Sequence, residues 1–285
     1  MTRFLPIIFV LLWSSAFITT KPIVDHSDPF AALSFRFIIV AFGFFLFSLY
    51  SNIKIISLSN NILPSIATGV LFHGFYLGGV FYSISIGLPT GIAALIVTLQ
   101  PVLTNALAGP LLNEKITFNR WLGVFLGFIG ASFVIGFDIG TSLPLTGIIA
   151  AFISLIAVTS ATLWQKKISN DLPLPLSNMY QAVGGFFFHL IIILIIVEEP
   201  FINFSSTFII AISHQILLVS FGAFTILMYL IKKNSASKTV SFFFLIPTTS
   251  ALMAWIFLNE TLSYLDIFGF ILTTIGVYVA TREKN

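Results

Sequence analysis

Cysteine is absent from this chain of 285 residues, and charged residues are scarce. The lack of cysteine excludes disulfides, thiol catalysis and Cys-ligated metal or iron–sulfur sites. A soluble domain carries about 25% Asp, Glu, Lys and Arg, whereas this chain has 8% charged and 58% hydrophobic residues. The polar surface that would keep such a fold in water is missing, so the sequence predicts an integral membrane protein.

Several functional motifs are also missing. The chain has no Walker sequence, so we do not expect ATP to drive it directly. It has no HExxH motif and no Ser/His/Asp set, and no Asp or Glu lies deep in an apolar run. We therefore predict no enzymatic activity, cofactor or metal site. In a membrane protein an excess of basic residues, here a net charge of +3, reflects which loops lie on the cytoplasmic side. It therefore does not indicate a nucleic-acid partner.

Apolar runs long enough to cross a bilayer follow one another along the chain. A spanning helix needs about 20 mostly apolar residues, and the runs are interrupted by Pro, Gly, Asn and charge clusters. The first run lacks a small-x-small cleavage site, so we expect it to be retained as a span. The ten predicted spans are residues 4–20, 30–50, 62–86, 90–112, 119–137, 144–165, 175–197, 207–231, 236–258 and 264–281.

Basic residues divide unequally between the two sets of alternating loops. All but two of the 13 fall in one set, together with both termini; the exceptions are Lys21 and Arg36. Basic loops stay on the cytoplasmic side of a membrane. The sequence therefore predicts an even number of spans, cytoplasmic termini and a multi-pass location in the cell membrane.

The chain also repeats itself, because a shift of 146 residues aligns its two halves. Five spans in each half is an odd number, so the halves must lie in the membrane with opposite orientation. We predict one five-helix repeat at 1–140 and a second at 141–285, around a central cavity. Such inverted repeats are typical of secondary transporters; a duplication without mechanistic consequence is the alternative. The aligned pairs include Pro101 with Pro247, Glu114 with Glu260, Gly123 with Gly269, and Gly130 with Gly276.

Several motifs resemble those of a known family. They are Trp13-Ser14-Ser15-Ala16-Phe17, Pro29 followed by Arg36, and the pattern from Leu99-Gln100-Pro101 through Asn113-Glu114-Lys115 to Trp121-Leu122-Gly123, which recurs from Leu245 to Gly276. Together they resemble the EamA-type members of the drug/metabolite transporter superfamily, although Asn113 and Asn259 stand where members often have Gly. The resemblance implies ten helices, a central cavity, and export or uptake of small organic metabolites.

Polar and aromatic residues within the spans are candidates for lining the cavity. A polar group at membrane depth is costly and usually faces the protein interior. Packing within the bundle is the alternative for His73, and an interfacial position is the alternative for the aromatic residues. We expect the substrate cavity to be lined by Trp13, Ser14, His73, Tyr76, Gln100, Trp164, Tyr229 and Thr248.

Four further residues have predicted roles near the helix ends or breaks. Pro101 and Pro247 lie in mid-span, where proline frees backbone carbonyls, so they are predicted kinks or hinges. Arg36 lies about two turns into the second span; it can pair with a carboxylate or phosphate of a substrate, but we favour a structural role. Glu114 is expected to satisfy the free N–H groups at a helix start.

The combined prediction is a secondary transporter that moves a small organic metabolite by alternating access. An amino acid or an amphipathic relative is the expected kind of substrate, and the lipid bilayer is the other partner. Nothing in the residue pattern decides between a monomer and a homodimer. The alternatives are a lipid-translocating protein, a channel or, with less support, an intramembrane enzyme.

Overall fold

A computed structural model describes residues 4–54, 62–135, 143–169, 172–258 and 263–282 of the chain. Within these ranges the chain is folded into helices joined by short connections. Glu260, which the sequence pairs with Glu114, lies outside the described residues. The helices are α1 (Leu5–Val24), α2 (Pro29–Tyr50), α3 (Ile62–Ser85), α4 (Thr90–Leu112), α5 (Phe118–Ile135), α6 (Leu145–Ile168), α7 (Leu174–Ile195), α8 (Ser206–Lys233), α9 (236–258) and α10 (Tyr264–Thr281).

Eight of the helices in the described ranges are long and apolar enough to cross a membrane, namely α1–α4, α6–α8 and α10. The apolar stretch of α5 is shorter, covering Phe118–Val134, and α9 is interrupted by a 3-10 turn at Ser241–Phe244. The predicted all-helical, multi-pass membrane protein is thus confirmed, whereas the number of ten spans stays a prediction.

Large apolar side chains cover much of the outer surface of the bundle. Phe42, Phe125, Ile210 and Leu217 are all more than half exposed. In water such a surface would cost about 25 cal/mol per Å² of apolar area, whereas the hydrocarbon of a bilayer accommodates it. The interior is also apolar and rich in Phe, with its main cluster formed by residues of α1–α4 and α6–α9.

Helices that the 146-residue shift makes equivalent pack against each other. Helix α2 lies along α7, and α5 lies along α10. In the same way, α1 packs on α8 and α9, whereas its equivalent α6 packs on α3 and α4. The two halves therefore make corresponding contacts with each other.

Two close backbone contacts between α5 and α10 show the same correspondence. A Cβ added to Gly276 would lie 2.7 Å from the carbonyl oxygen of Gly123, and one added to Gly123 would lie 2.5 Å from that of Gly276. A Cβ added to Gly130 would lie 2.7 Å from the carbonyl oxygen of Gly269, and one added to Gly269 would lie 2.6 Å from that of Gly130. Only glycine permits such an approach. The shift carries Gly123 onto Gly269 and Gly130 onto Gly276, so the two contacts are equivalent.

Irregular turns interrupt the helices at corresponding places. A π-helical stretch occupies Val70–Leu77 of α3, and another occupies Gln215–Phe224 of α8. Helix α4 is broken by a turn at residues 98–99, shortly before Pro101, and the 3-10 turn of α9 ends shortly before Pro247. Irregular turns of this kind are frequent at functional sites, and all four contribute to or adjoin the central cavity described next.

Candidate functional site

A cavity lies between α1, α2, α3 and α8, and Trp13, Arg36, His73 and Gln215 are among the residues that line it. A second, smaller chamber shares Trp13, Phe17 and Tyr76 with the first and extends to Thr98 of α4 and Pro247 of α9. Both halves of the sequence thus contribute to two adjoining, mostly apolar chambers.

Trp13 and Tyr76 stand between the two chambers. Both side chains are buried. Trp13 also contacts the rings of Phe9 and Phe243 at 5.3 and 5.5 Å between centroids. These contacts fix the indole as a wall shared by the two chambers.

His73 lines the larger chamber from the π-helical stretch of α3. Its ring lies between Phe37 and Phe224, at centroid distances of 4.4 and 4.5 Å. Its Nδ1 makes no hydrogen bond with any other described residue. The close approach of Gly185, whose added Cβ would lie 2.5 Å from the His73 Cβ, sets the position of this residue.

Arg36 brings a guanidinium group into the same chamber, although it is only 3% exposed. Its Nε donates to the Ser220 hydroxyl at 2.9 Å, and its Nη1 donates to Gln215 Oε1 at 2.5 Å. The Gln215 amide nitrogen donates in turn to the Ala16 carbonyl at 3.2 Å and the Thr20 hydroxyl at 3.1 Å. The guanidinium is therefore held in place by α8, which is itself tied to α1.

The structure brings together some of the predicted cavity residues and places the others elsewhere. Trp13, His73 and Tyr76 line the larger chamber, and so does Arg36. Pro247 lines the smaller chamber. Pro101 is buried in the first turn after the break in α4.

The remaining predicted residues do not line either chamber. Ser14 donates to the Ile246 carbonyl at 3.2 Å, and Gln100 donates to the Thr162 hydroxyl at 3.0 Å, so both tie helices together. Thr248 is buried, and Tyr229 is partly buried outside both chambers. Trp164 is 39% exposed and lines a shallow surface hollow beside Lys167.

Gln215 and Ser220 are cavity residues that the sequence analysis missed. They are spaced by five residues, so an ordinary helix of 3.6 residues per turn would not place them on one face. The π-helical stretch Gln215–Phe224 brings both to Arg36. Polar residues within a mostly apolar span were the available signal.

Among the residues that the structure describes, the cavity contains no set of side chains arranged for catalysis. No three His, Asp or Glu side chains there are placed to hold a metal ion. A bundle of membrane-length helices around a largely apolar cavity has the architecture of a small-molecule carrier.

The comparisons with known proteins give the family. The EamA-like transporter family matches residues 3–136 and, separately, residues 145–282. The chain therefore belongs to the EamA-like transporter family, as its motifs indicated. It is a multi-pass membrane transport protein and not an enzyme.

Individual proteins resemble the chain over most of its length. The uncharacterized transporter YvbV of Bacillus subtilis is 26% identical over 226 residues, which cover 75% of this chain and 69% of that protein. A probable amino-acid metabolite efflux pump of Salmonella typhimurium is 21% identical and covers 97% of this chain and 93% of its own length. A crystal structure with a TM-score of 0.83 and 16% identity covers 98% of this chain and 96% of its own, which shows that the fold is shared.

Proposed function

We propose that the protein is a secondary transporter that moves a small organic metabolite through the central cavity by alternating access. The observation that carries this proposal is the position of the cavity. Its walls come from both halves of the sequence and include the irregular turns of α3, α4, α8 and α9. A site between two repeats, at interrupted helices, is the arrangement that alternating-access carriers use.

The proposed architecture is ten spans in two inverted repeats, 1–140 and 141–285, in the cell membrane with cytoplasmic termini. Support comes from the two family matches, one in each half. The paired glycine contacts between α5 and α10 add to it, because each contact is the image of the other under the shift. Five spans per repeat make opposite orientations necessary.

Buried polar atoms outside the cavity support a second conformation. Gln100 Oε1, the Thr104 hydroxyl, both polar atoms of the Asn105 amide and the Thr248 hydroxyl are buried without a hydrogen bond to any described residue. Leaving such groups unpaired in an apolar interior costs about 1–3 kcal/mol each. The cost is relieved if these segments of α4 and α9 become hydrated when the cavity opens toward the other side of the membrane.

Trp13, His73 and Tyr76 are the residues that we propose contact the substrate. They combine apolar rings with a hydroxyl, an indole N–H and an imidazole, which suits an amphipathic organic molecule. The Salmonella relative is named for amino-acid metabolites, and we propose an amino acid or an amphipathic relative of one as the substrate here.

Counterflow in liposomes tests the proposal. Purified protein reconstituted with a panel of amino acids and related metabolites should show saturable exchange of at least one compound. Unitary conductance would instead indicate a channel, and movement of labelled lipid without exchange of any solute would indicate lipid translocation. Either result would overturn the carrier proposal.

Tryptophan fluorescence locates the site of any transported compound. The chain has four Trp; Trp13 is 5% exposed in the cavity wall, whereas Trp121, Trp164 and Trp255 are at least 39% exposed. The fluorescence response to a transported compound should disappear in Trp13→Phe. It should persist in Trp164→Phe, the matched control on the outer surface.

A further inference from the structure

Arg36 is a buried cation without an internal counter-ion. Within the ranges that the structure describes, the ion pairs are Lys21 with Asp25 and Arg120 with Glu114, so Arg36 takes part in none. Its two hydrogen-bond acceptors, Ser220 and Gln215, are neutral. Arginine keeps its charge at any physiological pH, and a buried charge left unpaired is expensive.

The guanidinium carbon of Arg36 lies 5.3 Å from the centre of the Phe37 ring, a cation–π contact, but no negatively charged residue lines the cavity with it. No Asp, Glu or Lys is among the residues that line the two chambers, and the other titratable side chains there are His73 and Tyr76. The other lining residues are uncharged and mostly apolar, and they include Phe72 and Phe224. The site thus combines one fixed positive charge with mostly apolar walls.

We infer that Arg36 is the receptor for a carboxylate group, and that the substrate class is a monocarboxylate with an apolar body. This inference rests on the proposed carrier function and names its substrate. The guanidinium has five N–H donors in a planar fork that matches a carboxylate. Ser220 and Gln215 engage one N–H each and hold the fork from the α8 side. The substrate carboxylate binds the free edge, and its body lies against Trp13 and Phe72.

Charge balance selects a monoanion among the acids. One carboxylate neutralises the single cation in the cavity, whereas a phosphate dianion leaves an excess negative charge. An α-amino acid brings its own ammonium group, and none of the lining residues offers a carboxylate to pair with it. The preferred substrate is therefore an acid that lacks the amino group.

Binding of matched acids and amides to the purified full-length protein tests the inference. The probes are 3-phenylpropionate, its neutral amide 3-phenylpropanamide, and the zwitterion phenylalanine, with octanoate and octanamide as an aliphatic pair. The acids should bind about 30-fold or more tightly than their amides, because the amide leaves the buried charge unpaired. Phenylalanine should bind more weakly than 3-phenylpropionate. If neither acid binds more tightly than its amide, the inference is wrong.

Two substitutions connect the binding to Arg36. Arg36→Gln removes the charge and should abolish the preference for acid over amide. Because that variant also loses its hydrogen bonds to α8, Gln215→Glu provides a second test. The new carboxylate would pair internally with Arg36, so the protein should fold but bind the acids at least about 30-fold more weakly. Asn203→Asp, which adds a carboxylate at an exposed residue outside both chambers, is the control and should retain the acid preference.

The outcomes separate this inference from the carrier proposal. Acid binding that depends on Arg36 without counterflow would uphold the carboxylate site and reject the carrier. Counterflow of neutral or zwitterionic compounds that is unaffected by Gln215→Glu would uphold the carrier and reject the carboxylate site.

Discussion

The carboxylate of Glu114 caps the helix that begins at Ala236. Its Oε1 accepts a hydrogen bond of 2.6 Å from the Ala236 backbone N–H, and its Oε2 accepts one of 3.2 Å from that of Ser237. The sequence predicted that Glu114 would satisfy a helix start; the structure shows that this start belongs to α9, in the other half of the chain, and not to the next helix, α5. The contact joins the two halves at one end of the bundle.

Removing the charge of Glu114 should loosen this end of the bundle. In an alternating-access cycle one end must open while the other closes, and hydrogen bonds from a charged group contribute about 1.5–3 kcal/mol. We expect Glu114→Gln to raise the rate at which a thiol reagent modifies a cysteine at the buried position Thr239 by about tenfold. The natural absence of cysteine makes this measurement free of background.

Glu199→Gln is the matched control for Glu114→Gln, because it makes the same chemical change at an exposed residue. It should leave the labelling rate at position 239 unchanged. Equal rates in the two variants would show that the Glu114 cap does not hold this end closed.

The glycine contact between α5 and α10 should not tolerate a methyl group. A Cβ at position 276 would lie 2.4 Å from the backbone nitrogen of Gly127 and 2.7 Å from the Gly123 oxygen, so the helices would have to separate. We expect Gly276→Ala to lower stability by about 1–3 kcal/mol, measured as a lower Tm in detergent. Gly109→Ala in α4 is the control: its Cβ would be 3.8 Å from the nearest atom, and alanine favours helix. Similar Tm values for the two variants would contradict the close-contact interpretation.

The helix positions were predictable from the sequence because lipid imposes long apolar runs and proline marks their ends. The structure places α2 and α7 at residues 29–50 and 174–195, against predicted spans of 30–50 and 175–197. Pro29 begins α2, and Pro173 directly precedes α7. These boundaries are local properties of the chain.

The rotation of each helix was much harder to predict. In a membrane the lipid and the protein interior are both apolar, so hydropathy does not show which face of α6 points inward. Trp164 therefore looked equivalent to Trp13, but it faces outward. His73 and Tyr76 were found because polar groups at that depth avoid lipid. Gln215 and Ser220 share a face only because of a π-helical stretch, which could not be recognised from the sequence.

His73 and Gln100 should differ in their effects on binding. Both are buried polar residues of a span, but His73 lines the larger chamber whereas Gln100 bonds Thr162 outside it. We expect His73→Ala to weaken binding of a transported compound about tenfold, the loss of roughly one hydrogen bond, with little change in Tm. Gln100→Ala should lower stability by about 0.5–1.5 kcal/mol and leave Kd unchanged. Titration of ligand and a melting curve on each variant decide this; the reverse pattern would place the site elsewhere.

The two segments that are doubtful as spans, α5 and α9, determine the topology of the whole chain. If α5 crosses the membrane, the connection after α7 lies on the opposite side from the connection after α4. If it does not cross, the two connections lie on the same side. In the same way, the end of α8 and the start of α10 lie on opposite sides of the membrane if α9 crosses it, and on the same side if α9 does not. Inverted repeats require that both helices cross.

Single cysteines at Lys115, Glu199, Lys233 and Tyr264, all exposed, test both crossings. In right-side-out cells and inverted vesicles treated with a membrane-impermeant thiol reagent, we expect positions 115 and 233 to react from the cytoplasmic side and positions 199 and 264 from the other. Labelling of 115 and 199 from one side would remove α5 as a span, and labelling of 233 and 264 from one side would remove α9. In either case the halves would no longer be inverted copies, and the symmetry that supports alternating access would be lost.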